Sequence, residues 1–375
     1  MSVLPEYEPL EYGRSTLSDE DKIYYDDIRD GMFAFQDVIQ ISRPQNGTLT
    51  ADDAGVARLK RIGEFVMADH PEIFWYGTTI GFQSIGSTLT TYRRPMLFTQ
   101  EEAIEKKAQI EGIALDILNE IRDVQGEYEV TKALYSYIAK NTTYNLNADY
   151  MHTIYAVFAN HEGVCDGYTK AFQYLLNYRG VDNIYLWGYV AEGAHAWCLV
   201  RNEGNWYQTD VTWADPRVAI SSFTPTEAQE QNLQRDYVTY LYLNLTSSEM
   251  YGLNHTLATA SAIASSGDSN PPVEIYTIPS CTATECNYYV KENLLFDSYD
   301  AEAVTEAVIS NLRSQQGPPD SLALADVKFT NDEAWEDFKN HFRITAALSG
   351  AEMNYANATY SSYASARMRV FIVFW

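Results

Sequence analysis

Residues 160–180 read NHEGVCDGYTKAFQYLLNYRG, and residues 183–216 read NIYLWGYVAEGAHAWCLVRNEGNWYQTDVTWADP. In the first stretch Tyr168, Ala171, Phe172, Leu175 and Leu176 recur at helical spacing and Gly180 closes the run, which predicts an amphipathic helix. Cys165 then falls at or just before the first turn. Unpaired N–H groups and the helix dipole at such a position favour the thiolate form of a cysteine. The same N–H groups can hold the oxyanion that forms when a thiolate attacks a carbonyl. A core cysteine would sit mid-helix on the apolar stripe, and Cys165 does not. Gly163 and Gly167 flank it and are expected to leave room for a substrate backbone.

The second stretch predicts three strands, 184–190, 195–201 and 205–213, with Glu203-Gly204 as a tight turn joining the last two in a hairpin. Strand alternation puts His195 and Trp197 on one face and Ala196 and Cys198 on the other, while Trp206, Gln208 and Asp210 share a face of the partner strand. A hairpin can therefore bring His195 beside Asp210, both facing the helix that begins at Cys165. Taken singly, each residue has a plain structural role: a core thiol, a strand imidazole, an edge carboxylate. Taken together they are a thiol, an imidazole to accept its proton and a carboxylate to hold the imidazole tautomer. Cys165, His195, Cys198 and Asp210 are also plausible zinc ligands. Alternation turns Cys198 away from His195 and no Cys-x-x-Cys pair is present, so neither metal nor cofactor is expected.

GVCDGYTKAFQYLLNYRGV followed by HAWCLVRNEGNWYQTDVTWADP resembles the transglutaminase-like superfamily, especially its bacterial secreted or cell-surface members. In that family the Cys at a helix start, the His of a His-Ala-Trp strand and the Asp of an Asp-x-Thr-Trp strand form the catalytic triad. The resemblance thus implies Cys165, His195 and Asp210 in those roles. It also implies an α+β fold with a papain-like core, in which the Cys-bearing helix packs on an antiparallel sheet. YVTYLYLNLTSSEMYGLNHT (237–256) is similar to the family's segment after the triad. Cys198 stands where bacterial relatives usually carry Asn, on the core side of the strand. Val164 stands where animal transglutaminases carry Gln. The oxyanion is then left to the Cys165 N–H and a second donor, for which Tyr144 and Tyr155 are candidates; Gly163 and Trp197 are further substrate-side candidates.

The resemblance covers residues 125–255, the expected catalytic core. Residues 1–124 read as a mainly helical region with a short β segment, with Ser18, Thr50 and Thr99 as helix caps and short strands within 72–97. Residues 256–284, rich in Ala, Ser, Thr, Gly and Pro, read as a linker. Residues 285–375 read as a small α+β domain: NYYVKENLLF a strand, DAEAVTEAVISNLRSQQ a helix, SLALADVKFT a strand, NDEAWEDFKNHF a helix and RMRVFIVFW a final strand.

A net charge of −25 repels phosphate backbones, and no basic stripe offsets it, so nucleic acid is not an expected partner. No apolar stretch reaches the ~20 residues of a membrane span. The start, MSVLPEYEPLEYGR, lacks the pattern of a signal peptide and reads as the stub of a tether, so a secreted or cell-surface home is expected, with the cytoplasm as the alternative. Cys281 and Cys286 lie close enough in sequence either to bridge or to stay reduced. The expected activity is acyl transfer through a thioester at Cys165 from a peptide or glutamine amide, by a peptidase or a transamidase. Its partner is a peptide or protein substrate, cell-wall peptides included. The alternative is a catalytically silent cell-surface binding or scaffold protein that keeps the fold.

Overall fold

A computed structural model of the chain describes residues 3–43, 49–214, 224–259, 261–262, 274 and 277–375. The first part holds helices α1 (Tyr12–Ser15), α2 (Asp19–Phe33), α3 (Asp53–Asp69) and α4 (Gln100–Glu120), with strands β1 (Val38–Gln40), β2 (Gly81–Ile85) and β3 (Thr88–Arg93) in one small sheet of order β1-β3-β2. Capping chemistry sets the helix starts. Ser18 accepts the Asp21 N–H, and Thr99 with Glu102 forms a reciprocal capping box. The expected cap at Thr50 moves to Asp52, whose side chain accepts the Gly55 N–H. Thr50 is drawn instead into a β-bridge with Thr88.

The middle of the chain holds α5 (Glu127–Asn141), β4 (Thr143–Tyr144), β5 (Glu162–Gly163), α6 (Cys165–Tyr178), β6 (Asn183–Val190), β7 (Gly193–Asn202), β8 (Asn205–Thr209), α7 (Glu227–Asp236), α8 (Ser247–Gly252) and β9 (Thr256–Leu257). β6, β7 and β8 form an antiparallel meander against which α6 packs. Glu203 and Gly204, at φ 51° and 85°, make the tight turn between β7 and β8. The third strand ends at Thr209 rather than 213, because the Asp210 carboxylate accepts the Thr212 N–H and bends the chain into a 3-10 turn over Thr212–Ala214. Thr256 and Leu257 were expected to open a linker; they pair antiparallel with Tyr189 and Gly188, so the sheet has the order β8-β7-β6-β9. A Cβ on Gly188 would lie 2.0 Å from the Thr256 carbonyl oxygen, so only glycine permits this close approach. Most of the remaining expected linker lies outside the described residues.

The last part contains α9 (Tyr288–Lys291), β10 (Leu295–Phe296), α10 (Ala301–Ser314), β11 (Leu322–Phe329), α11 (Asp332–His341), α12 (Ile344–Gly350), β12 (Asn357–Tyr363) and β13 (Met368–Phe374). NYYVKENLLF is thus a short helix and a two-residue strand, not one strand. Asn287 caps the helix through the Tyr289 N–H, and Asn293 at φ 58° ends it. The four strands form a sheet of order β10-β11-β13-β12. Buried residues of the first and middle parts run on without a break into Tyr288, Met368, Val370, Ile372 and Phe374, while the other face of the final sheet builds a core of its own around Phe338 and Phe371. The mixed helix and strand content agrees with the expected α+β class. All four cysteines are free thiols, Cys281 and Cys286 included. Among the described residues no helix is long and apolar enough to cross a membrane.

Candidate active site

Cys165 is the first residue of α6, and Val164, the residue before the helix, offers no side-chain cap. The first-turn N–H groups are therefore not taken up by a capping side chain. The start of α6 is seated on the chain's own backbone: the Val164 N–H donates to the Met151 carbonyl at 3.1 Å. This corrects the expected role of the two glycines. A Cβ on Gly167 would meet the Met151 oxygen at 2.7 Å and the Thr153 oxygen at 3.3 Å, and one on Gly163 would meet Val157 at 3.0 Å. Both make room for residues 151–157, not for a substrate. Gly167→Ala is expected to destabilise the fold by about 1–3 kcal/mol by pushing α6 off this seat, measurable by urea unfolding.

α6 is fastened to the His-bearing strand where the Thr169 hydroxyl donates to the Ala196 carbonyl at 3.1 Å. His195 is buried, and its Nε2 lies 2.6 Å from Asp210 Oδ2. The Cys165 side chain is also close enough to His195 to act on its protonation. Burial alone would lower the His195 pKa, but the charge and hydrogen bond of Asp210, with Cys165 adding to them, raise it to about 10. Asp210 is fully buried; burial would raise its pKa, and the two imidazoles beside it, His195 and His255, hold it well below the usual carboxylate range. Its backbone N–H donates to Tyr242 and its Oδ1 accepts the Thr212 N–H at 2.9 Å, so the carboxylate is fixed at both ends. The sequence thus brings Cys165, His195 and Asp210 together as expected from alternation.

His255 is the site residue that the sequence reading passed over. Its Nε2 lies 2.9 Å from the same Asp210 Oδ2. The one available signal was a lone histidine at the end of the segment that follows Asp210. Nothing in the local pattern revealed that β9 would return it to the sheet.

Trp197 is buried and holds the site from behind. Its indole N–H donates to Gln208 Oε1 at 2.6 Å and its ring stacks on His195 at 6.1 Å, so it faces inward and not toward a substrate. Tyr144 lies beside Cys165: β4 pairs with β5, Tyr144 opposite Gly163, and its phenol is near the Cys165 backbone N–H. Burial, then the nearby Cys165 and Asp210, raise its pKa. Tyr155 is elsewhere, in a cluster with Phe74, Phe98 and Tyr150, where Lys106 donates to its hydroxyl at 3.0 Å. Cys198 is buried on the far face, its thiol donating to the Thr209 carbonyl, so it cannot join His195 around a metal. His195, Asp210 and His255 are close enough to share an ion. Such an ion would displace both imidazole–carboxylate hydrogen bonds.

Cys165 and His195 open on a cleft of about 580 Å³. One wall comes from the first part of the chain, with Lys60, Glu64 and Met67 of α3 and Ile80 and Phe82 at β2. Behind Cys165, Asp166 receives the Tyr185 hydroxyl at 2.7 Å and pairs with Lys170 at 3.0 Å. Burial pushes the Asp166 pKa up, but Lys170 and His152 hold it well below the usual range.

Residues 116–211 match the family model of the transglutaminase-like superfamily. That stretch belongs to the transglutaminase-like superfamily. It includes Cys165, His195 and Asp210 and stops short of His255. Among solved structures, the chain is similar to a TGase at 18% identity and a TM-score of 0.28, covering 41% of this chain and 48% of that one. It is also similar to a candidate cysteine protease from Cytophaga hutchinsonii at 16% identity and a TM-score of 0.26, covering 36% of this chain and 61% of that one. The chain thus spans less than two thirds of either neighbour. No curated protein matches it. The transglutaminase-like core occupies the middle of the chain, with α6 and the meander as its centre.

Proposed function

We propose that the transglutaminase-like core performs acyl transfer through a thioester at Cys165, taking the acyl group from a peptide bond or a glutamine amide. The observation that carries this reading is His195 hydrogen-bonded through Nε2 to the buried Asp210 and close to Cys165, which stands at the first turn of α6 and lines the same cleft. The thiolate sulfur attacks the substrate carbonyl carbon, and the oxygen takes up the negative charge beside the Cys165 N–H. Tyr144, whose hydroxyl sits at that N–H, turns to donate to the oxyanion as the second partner. The His195 imidazolium gives its proton to the leaving nitrogen, the carbon–nitrogen bond breaks, and the thioester remains. Water or a primary amine then attacks the thioester, His195 takes the incoming proton, and the thiolate is released. Asp210 stays ionised throughout and keeps Nε2 of His195 occupied, leaving Nδ1 for the sulfur.

Mass spectrometry of a peptide library incubated with the protein and a primary amine tests this. Shortened peptides are expected if water is the acceptor, and amine-bearing peptides if the amine is. An unaltered library, with Cys165 unmodified by any acyl group, would sink the reading in favour of a binding or scaffold role.

A further inference from the structure

The acyl-transfer reading gives no role to His255, a buried titratable side chain at the site. His255 lies between α8 and β9, enclosed by Trp197, Trp213 and Tyr242 at ring separations of 5.2, 5.6 and 5.8 Å. Both its nitrogens are committed. Nδ1 lies 3.1 Å from the Leu253 carbonyl and Nε2 lies 2.9 Å from Asp210 Oδ2. A carbonyl only accepts, so Nδ1 carries a proton. A second proton must then lie between Nε2 and Oδ2, because two lone pairs facing each other at that distance repel. Oδ2 is also the oxygen that His195 Nε2 approaches at 2.6 Å. One carboxylate oxygen therefore serves two imidazoles whose rings are 5.4 Å apart.

We propose that His255 is a positioning residue and the fourth member of the site, donating a second imidazole N–H to Asp210 and competing with His195 for Oδ2. Its catalytic meaning rests on the acyl-transfer reading; its hydrogen bonds do not. A thiolate and a carboxylate set against one imidazolium leave a buried site one negative charge in excess, and the extra proton held by His255 evens the count. The competing donor also weakens the hold of Asp210 on the His195 proton, so His195 surrenders that proton to the leaving amine more readily than it would to a two-member pair. Among the described residues, the other titratable groups facing Asp210 include Tyr135 on α5, Tyr144 on β4, Cys198 on β7 and Tyr242. Burial pushes Tyr135, Cys198 and Tyr242 far up, which removes them from titration near neutrality.

Nitrogen-15 NMR of the histidine rings in the full chain tests this. Two slowly exchanging ring N–H signals from His255 are expected in the wild-type protein, both missing in His255→Phe. An unprotonated Nε2 in the wild-type spectrum overturns the proposal, whatever the variants do. In His255→Phe, the pH at which the His195 ring loses its proton is expected to rise by about one unit. His255→Gln, which restores a neutral donor, is expected to lie between the two. A folded His255→Phe with an unchanged His195 titration overturns the competition for Oδ2 and leaves a ring that only fills space. The same samples separate this idea from the one beneath it. If wild-type Cys165 reacts with iodoacetamide no faster than a free thiol while both His255 N–H signals stand, acyl transfer fails and the His255 assignment survives.

Discussion

Cys165→Ala will reduce acyl transfer by about 10⁴-fold or more while leaving the stability within about 1 kcal/mol of the parent. The loss is large because in the proposed reaction the sulfur is the atom that bonds the substrate, and no other thiol can replace it. Cys198, Cys281 and Cys286 are all buried, whereas Cys165 is partly open to the cleft. Burial raises the pKa of Cys281 and Cys286 to about 11 and that of Cys198 further, so none presents a thiolate near neutral pH. The stability change is small because Ala keeps helix propensity at the first position of α6 and the site is not tightly enclosed. Iodoacetamide labelling followed by peptide mapping gives the companion result: one fast cysteine in the parent, at position 165, and none in the variant. Equal labelling of Cys165 and Cys198 would end the nucleophile assignment.

Asp210→Ala will lose both activity and stability, the first by about 10⁴-fold and the second by about 3–5 kcal/mol. Asp210 accepts two imidazole N–H groups and one backbone N–H, and it is fully buried. Its removal strands all three donors away from water, including a raised-pKa imidazole left without its counter-charge. Chemical unfolding and steady-state rates of the same preparation check the two halves. The parent's pH dependence follows from the two shifts. Asp210 is depressed in the folded state, so its contribution is present above the ordinary aspartate pKa of about 3.9 and is lost as the pH falls toward its folded value. His195 is raised, so its contribution is complete below about 6.5 and is lost as the pH rises through about 10. The pair stabilises the fold most between these limits, and Asp210→Ala should flatten both flanks of the stability curve.

How far the site could be read from sequence depended on whether a residue's placement was local. Cys165 was legible because an apolar stripe fixes the phase of α6, and the helix start follows from that phase. His195 and Asp210 were legible because Glu203-Gly204 sets the hairpin register and alternation does the rest. Trp197 was placed on the correct face, but alternation says nothing of whether a face is open, and here it is closed by Gln208, His195 and His255. Gly163 and Gly167 were rightly taken as places of close approach; what approaches is residues 151–157, a tertiary fact with no local pattern. His255 depends on a two-residue strand pairing with a strand far upstream, and two residues are too few to carry a period. Asp52 replaced Thr50 as a cap for a similar reason, since the bridge to Thr88 is not written near Thr50.

The cleft wall carries a consequence for how such a protein can diverge. Met67, Ile80 and Phe82 line the same opening as Cys165, yet they come from a part of the chain that lies outside the matched stretch 116–211. One wall of the cleft is therefore encoded apart from Cys165, His195 and Asp210, while His152, Lys170, Tyr185 and Trp187 line the rest of it from within that stretch. Mutations in the earlier segment can alter which substrates are admitted without disturbing the imidazole, the carboxylate or the sulfur. Descendants of one ancestor could in this way keep a single chemistry and part company over diet.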